Sequence, residues 1–121
     1  MTKKVCAPGL IILLSVICLT SIAYAQTGWW RTYGGTGADQ GFSAQQTTDG
    51  GYIIAGHTES FGAGGADVYL IKTDAVGDTL WTRTYGGTGT HDYGKSVQQS
   101  SDGGYIVTDV TSSDVYLIVP L

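Results

Sequence analysis

Asparagine is absent from the chain, so there is no N-glycosylation acceptor and no Asn-Gly hairpin turn. Cysteine occurs only at Cys6 and Cys18. Residues 26–121 hold none, which excludes a disulfide framework or a cysteine metal site there and leaves stability to packing. Two prolines and 19 irregularly spaced glycines exclude a collagen-like chain and point to many turns. Basic residues are scarce: six against ten acids, a net charge of −4. No Lys/Arg cluster is available to meet a nucleic acid backbone. A chain of 121 residues is long enough for one domain.

The N-terminus has three parts. Lys3 and Lys4 form a basic start, an apolar run from Leu10 to Leu19 is interrupted only by Ser15, and Ala23-Tyr24-Ala25 precedes Gln26. This is the pattern of a secretory signal. It predicts a signal-peptide helix within residues 1–25, cleavage between Ala25 and Gln26, and export to the medium, periplasm or cell surface. An uncleaved anchor is the alternative, but the apolar core is short for a span of about 20 residues. Cys18 follows Val16-Ile17, without the small residue expected before a lipidated cysteine. Residues 26–121 keep Arg31, Lys72, Arg83 and Lys95 against all ten acids, a net charge of −6 that repels nucleic acid and anionic lipid.

Internal repetition fills the rest. Thr32-Tyr33-Gly34-Gly35-Thr36-Gly37 recurs 52 residues on as Thr84-Tyr85-Gly86-Gly87-Thr88-Gly89. The block from Gln45 through Asp49-Gly50-Gly51-Tyr52 to Ile54 recurs 53 residues on, from Gln98 to Val107, so one residue has been inserted. Asp67-Val68-Tyr69-Leu70-Ile71 recurs 47 residues on as Asp114-Val115-Tyr116-Leu117-Ile118, the second copy having lost the Phe61–Ala66 loop. The repeats span about 29–85 and 86–119.

Each copy reads as short strands. Phe42–Thr47 and Tyr52–His57 flank Thr48-Asp49-Gly50-Gly51, whose Asp and Gly suit a hairpin turn. Asp67–Lys72 is a third strand, Asp74-Ala75-Val76-Gly77 a turn with Gly at the bulge position, and Leu80–Tyr85 a fourth strand. No segment outside the leader has a capped helical period. Tyr52–Ala55 and Val68–Ile71 are apolar without alternation, which predicts burial on both faces.

The pattern W-x-x-T-Y-G-G, then D-G-G-Y-I-I-A-G, then S-F-G-A-G-x-x-D-x-Y-L-I-K-T-D-x-x-G-x-x-x-W, resembles the Gly-rich propeller-type repeats of secreted microbial surface proteins across residues 29–119. The resemblance implies an all-β fold of β-propeller-type repeats, each an antiparallel four-stranded sheet. The chain has under two full repeats and the second lacks its fourth strand, so the expectation is an incomplete propeller. Trp29–Tyr33 matches the fourth-strand sequence Trp81–Tyr85 and is the candidate replacement. A closed ring needs about four to eight blades. The readings open here are a truncated family member, a homo-oligomer that completes a propeller, and two sheets packed as a sandwich.

Gly89-Thr90-His91-Asp92-Tyr93-Gly94-Lys95-Ser96 fits G-x-x-x-x-G-K-S, but the turn-rich Val97–Gly104 cannot supply the helix that a phosphate loop requires, so no nucleotide is expected. His57 and His91 fall at different points of the repeat. His91 and Asp92 are expected in a solvated loop and not at a metal. Asp49 and Asp102 fit turns, while Asp67 and Asp114 open strands. Ser43 and Ser96 recur without a nucleophile elbow. Trp29, Trp30, Trp81 and Tyr93 could stack on sugar rings, but Trp30 and Trp81 stand at strand starts, where packing is the expectation. The loop tips Thr36–Asp39 and Ser60–Ala66 are the natural binding edge of such a fold.

No catalytic, cofactor-binding or metal-ligating residue is assigned, no cofactor is expected, and ligand-binding residues stay open. The expected function is an exported, non-catalytic repeat module for surface interaction or scaffolding, its partner an extracellular protein or glycan. The alternatives are a glycan-binding module and a fragment of a larger secreted propeller enzyme such as a glycoside hydrolase.

Overall fold

The computed structural model describes residues 28–109 and the backbone of 115–118. The expected leader, its cleavage site and Asp114 lie outside the described residues. Those described are all-β, with no helix among them. The strands are β1 (Asp39–Gln46), β2 (Tyr52–Thr58), β3 (Asp67–Thr73), β4 (Thr79–Tyr85), β5 (Gly94–Gln99), β6 (Tyr105–Asp109) and β7 (Val115–Ile118). They form two antiparallel sheets, ordered β1-β2-β3-β4 and β5-β6-β7.

Turn chemistry fixes the order. At the first hairpin the Gly50 amide donates to the Thr47 carbonyl at 2.9 Å, while the Asp49 carboxylate accepts from the Gly51 amide at 3.0 Å. Ser100–Gly104 repeats this, with Asp102 accepting from the Gly104 amide at 3.0 Å. Gly50 and Gly103 both sit at φ +86°, which side chains rarely adopt. The β3–β4 turn is closed by the Asp74 carboxylate, which accepts from the amides of Val76 and Asp78 at 3.0 and 2.9 Å.

β1 begins at Asp39, three residues before the expected start, because the pairing of Asp39 with Thr58 extends the ladder through polar residues. A bulge between Gly41 and Ser43 recurs between Gly94 and Ser96. Beside the first, Gly56 lies so close to β1 that a Cβ would stand 1.8 Å from the Gln40 carbonyl oxygen.

The core lies between the sheets. Ile53 and Ala55 of β2, Val68 and Leu70 of β3, and Trp81 and Tyr85 of β4 meet Val97 of β5 and Tyr105 and Val107 of β6. Antiparallel register explains the shared face, since Ala55 stands opposite Leu70. Each large aliphatic side chain buried here contributes about 1.5–3 kcal/mol. All seven residues of β3 are buried: the apolar run Val68–Ile71 as expected, and with it the polar Asp67, Lys72 and Thr73. β2 is covered less completely, with Tyr52 and Ile54 half-buried.

Side chains also join the sheets. The Val97 amide donates to Ser43 Oγ at 3.2 Å, the Gln99 amide to Gln45 Oε1 at 2.7 Å, and the Thr48 amide to Gln99 Oε1 at 2.9 Å. Residues 28–37 cover the far face of the first sheet without forming a strand. Tyr33 donates its hydroxyl to the Gly77 carbonyl at 2.8 Å, and Arg31 pairs with Asp78 at 3.5 Å.

Candidate functional site

The bulge and hairpin geometry gather titratable and aromatic groups at two places: around Asp39 on the far face of the first sheet, and around Asp67, Asp92 and His57 where the repeats meet. The first part is Asp39, at the start of β1. Its carboxylate accepts from the Gly35 amide at 2.9 Å, from Ser60 Oγ at 2.7 Å and from Thr58 Oγ1. Burial pushes its pKa up, but the hydrogen bonds from Thr58, Ser60 and the backbone amides outweigh that and hold it below the usual carboxylate range. A carboxylate with this many donors is spent on pinning the Gly34–Gly37 loop to the β2–β3 loop. It lines a shallow groove with Tyr33, Ile54, Tyr69 and Ile71 that holds no other ionisable group but tyrosine.

Asp92 is the repeat equivalent of Asp39. It accepts from Thr90 Oγ1 at 2.7 Å and, at 3.4 Å, from the Gly87 amide, which corresponds to Gly35. The expected solvated loop holds for His91, which is exposed, but not for Asp92, which is 3% exposed. The Asp92 amide donates to the Ala66 carbonyl at 2.7 Å and draws the side chain under the Phe61–Ala66 loop. There it faces Asp67, the first residue of β3. Asp67 is 1% exposed, and neither of its oxygens accepts a well-formed hydrogen bond. Burial pushes the Asp67 carboxyl up, the Ala63 amide partly offsets this, and the charge of Asp92 adds to the rise.

The third part is aromatic. His57 of β2 stacks on Phe42 with ring centroids 5.6 Å apart and meets Tyr93 edge-on at 4.8 Å. Lys95 Nζ lies 3.4 Å from the centre of the Phe42 ring and 5.3 Å from that of Tyr93, a cation–π arrangement. His57 Nδ1 is buried without a partner. The phosphate-loop-like run therefore ends in strand β5, with its lysine turned onto an aromatic ring. Tyr93 is packed into this cluster.

The tryptophans divide differently from the expectation. Trp81 packs against the core and meets Tyr105 edge-on at 5.9 Å and 61°. Trp30 does not pack: it is 80% exposed. Trp29 takes that role, meeting Tyr52 at 6.0 Å and 64°. Arg31 lies over Trp29 at 5.6 Å, as Arg83 lies over Trp81 at 5.5 Å. Segment 29–33 thus sits on the first sheet as β4 sits on the second.

Asp49 and Asp102 serve turns, and Ser43 ties β1 to β5. Among the described residues no three acids, histidines or cysteines gather as a metal cluster. Sequence reasoning placed Asp39 at the end of a loop tip, Phe42 at a strand start and Lys95 in the phosphate-loop-like run, and gave none of them the contacts found here. The recurrence of Asp39 as Asp92, 53 residues on, was the available signal for the first. Compared with protein-family models, curated proteins and solved structures, the chain matches none.

Proposed function

We propose that the chain is an exported, non-catalytic β-propeller-repeat module that serves surface interaction or scaffolding, and that it joins its neighbours sheet to sheet. The observation that carries this reading is the match between Trp29 on Tyr52 and Trp81 on Tyr105, in distance, angle and flanking arginine. A fourth strand from an adjoining blade would rest on the first sheet in this way, and Trp29–Tyr33 has the fourth-strand sequence. β7 stands at the edge of its sheet in the position that β3 holds beside β4. Pairing of Trp29–Tyr33 from one copy with β7 of another would complete that sheet. The basic start, apolar run and Ala-x-Ala ending of residues 1–25 support export.

Light scattering on residues 26–121 tests the reading. A discrete oligomer of about two to four copies gives the four to eight blades a ring needs. Such a species, lost on Trp29→Ala with the β-sheet spectrum retained, supports it. A folded monomer at every concentration counts against it. A glycan-binding reading rests on Trp30, whose exposed ring stands beside the half-exposed Trp29. A glycan array distinguishes it, because binding must then fall with Trp30→Ala and leave the oligomer intact.

A further inference from the structure

Asp67 and Asp92 come from different repeats and meet at Gly86. A Cβ on that residue would stand 2.1 Å from Asp67 Oδ1 and 2.7 Å from Asp92 Oδ2. Two atoms so close to one point lie within about 5 Å of each other, where like charges oppose joint ionisation. The other oxygen of Asp67 is confined as tightly, 2.1 Å from where a Cβ on Gly62 would be. Absent β-carbons at Gly62 and Gly86 are what let the carboxylate enter.

The contrast with Asp39 is informative. Beside Gly34 that single carboxylate accepts from an amide and two hydroxyls. Beside Gly86 there are two carboxylates, and the more deeply buried one accepts no well-formed hydrogen bond, with only the Ala63 amide acting on it. The four lysines and arginines of residues 28–109 are engaged elsewhere. Arg31 pairs with Asp78, Lys72 with Asp49, Arg83 lies over Trp81 and Lys95 over Phe42. Leaving a buried carboxylate unpaired is costly, so such groups are normally paired or coordinate a metal.

We propose that Asp67 and Asp92 hold a divalent cation of the calcium type between the two repeats, with both oxygens of Asp67 and Oδ2 of Asp92 as protein ligands. Oxygen-only donors select a hard cation, and calcium tolerates an irregular shell at about 2.3–2.6 Å. Magnesium demands a near-ideal octahedron and gives up water reluctantly. With two carboxylates the affinity falls in the weak range, about 0.1–1 mM. The ion would lock the β2–β3 loop of one sheet to the loop before β5 of the next. This inference stands on the carboxylates alone and does not depend on the propeller reading.

The test is calorimetric titration of CaCl2 into the purified, EDTA-treated full chain, with thermal melts in EDTA, in about 10 mM CaCl2 and in about 10 mM MgCl2. One calcium site per chain and a Tm about 5 °C higher in calcium than in EDTA or magnesium are expected. Asp67→Asn and Asp92→Asn should remove that increment, and Asp67→Asn should melt no lower in EDTA than the unsubstituted chain. Three results each overturn the proposal: no binding heat up to about 20 mM, an equal shift with magnesium, or a calcium shift that survives Asp67→Asn. Should either variant fail to fold, the titration of the unsubstituted chain decides alone.

Discussion

Lys72 reaches from the buried strand β3 to the carboxylate of Asp49, its Nζ 3.0 and 3.2 Å from the two oxygens and 2.8 Å from the carbonyl of Thr73. The lysine side chain is buried, while the carboxylate it meets is more than half exposed. At the corresponding place the second repeat has Val119. Lys72→Met keeps the apolar stem and removes the donor. Loss of the hydrogen bond to Thr73 alone should cost about 1 kcal/mol. The urea midpoint of the variant should fall, and an unchanged midpoint would show that the lysine contributes only packing.

Acid should weaken the fold. The Thr47 hydroxyl, the Gly51 amide and Lys72 hold Asp49 well below the usual carboxylate range, and the Ser100 hydroxyl and Gly104 amide lower Asp102. Asp39 is lowered too, its hydrogen bonds overcoming burial. A carboxyl whose folded pKa lies below its unfolded one stabilises the fold above the unfolded pKa. That stability is lost as pH falls through the folded value. Urea midpoints should therefore drop below about pH 4, while Asp67, whose carboxyl burial pushes up, contributes the opposite slope at higher pH. Asp49→Asn and Asp102→Asn should flatten that drop. A midpoint independent of pH down to about 2.5 would contradict the assignment.

Gly77 and Gly103 form a natural control pair. Both have positive φ, +84° and +86°. A Cβ on Gly77 would stand 2.4 Å from the Trp29 ring, whereas one on Gly103 meets open space. Gly103→Ala should cost about 1 kcal/mol for backbone conformation alone. Gly77→Ala should cost more and shift tryptophan emission to longer wavelength as Trp29 is displaced. Equal costs with unchanged emission would mean that Trp29 does not rest on this turn in solution.

Leu70 is fully buried at the centre of the inter-sheet core. Leu70→Ala should cost about 2–5 kcal/mol. Because the core is shared, calorimetry should show one transition moving down. Two separated transitions would show that the sheets are independent.

Local chemistry was legible in the sequence. The Asp-Gly-Gly turns, the Asp74–Gly77 turn and the burial of Val68–Ile71 follow from residues whose meaning is set by their immediate neighbours. The bulges at Gly41 and Gly94 break the pairing without changing the apolar pattern, so the pattern did not reveal them. Trp30 and Trp29 are adjacent and identical in type, and only the match of Trp29 to Trp81 52 residues on separates the packed ring from the exposed one. Asp67 and Asp92 are ordinary polar residues along the chain. Their burial depends on two loops closing over them, which no window of sequence contains. Lys72 is likewise a charge at the end of an apolar strand until the hairpin turn folds back beneath it.

The bonds that sew β5 to β1 have a kinetic consequence. Ser43 to Val97 and Gln45 to Gln99 each span 54 residues, while the hairpins they join close over only a few. Hairpins form in about 1–10 μs, but ordering so long a loop must precede any reward from the joint. The two sheets should therefore take shape early and unite late. The interval between those events is when their apolar faces are bare, and it is the stage of folding at which crowding by other copies matters most.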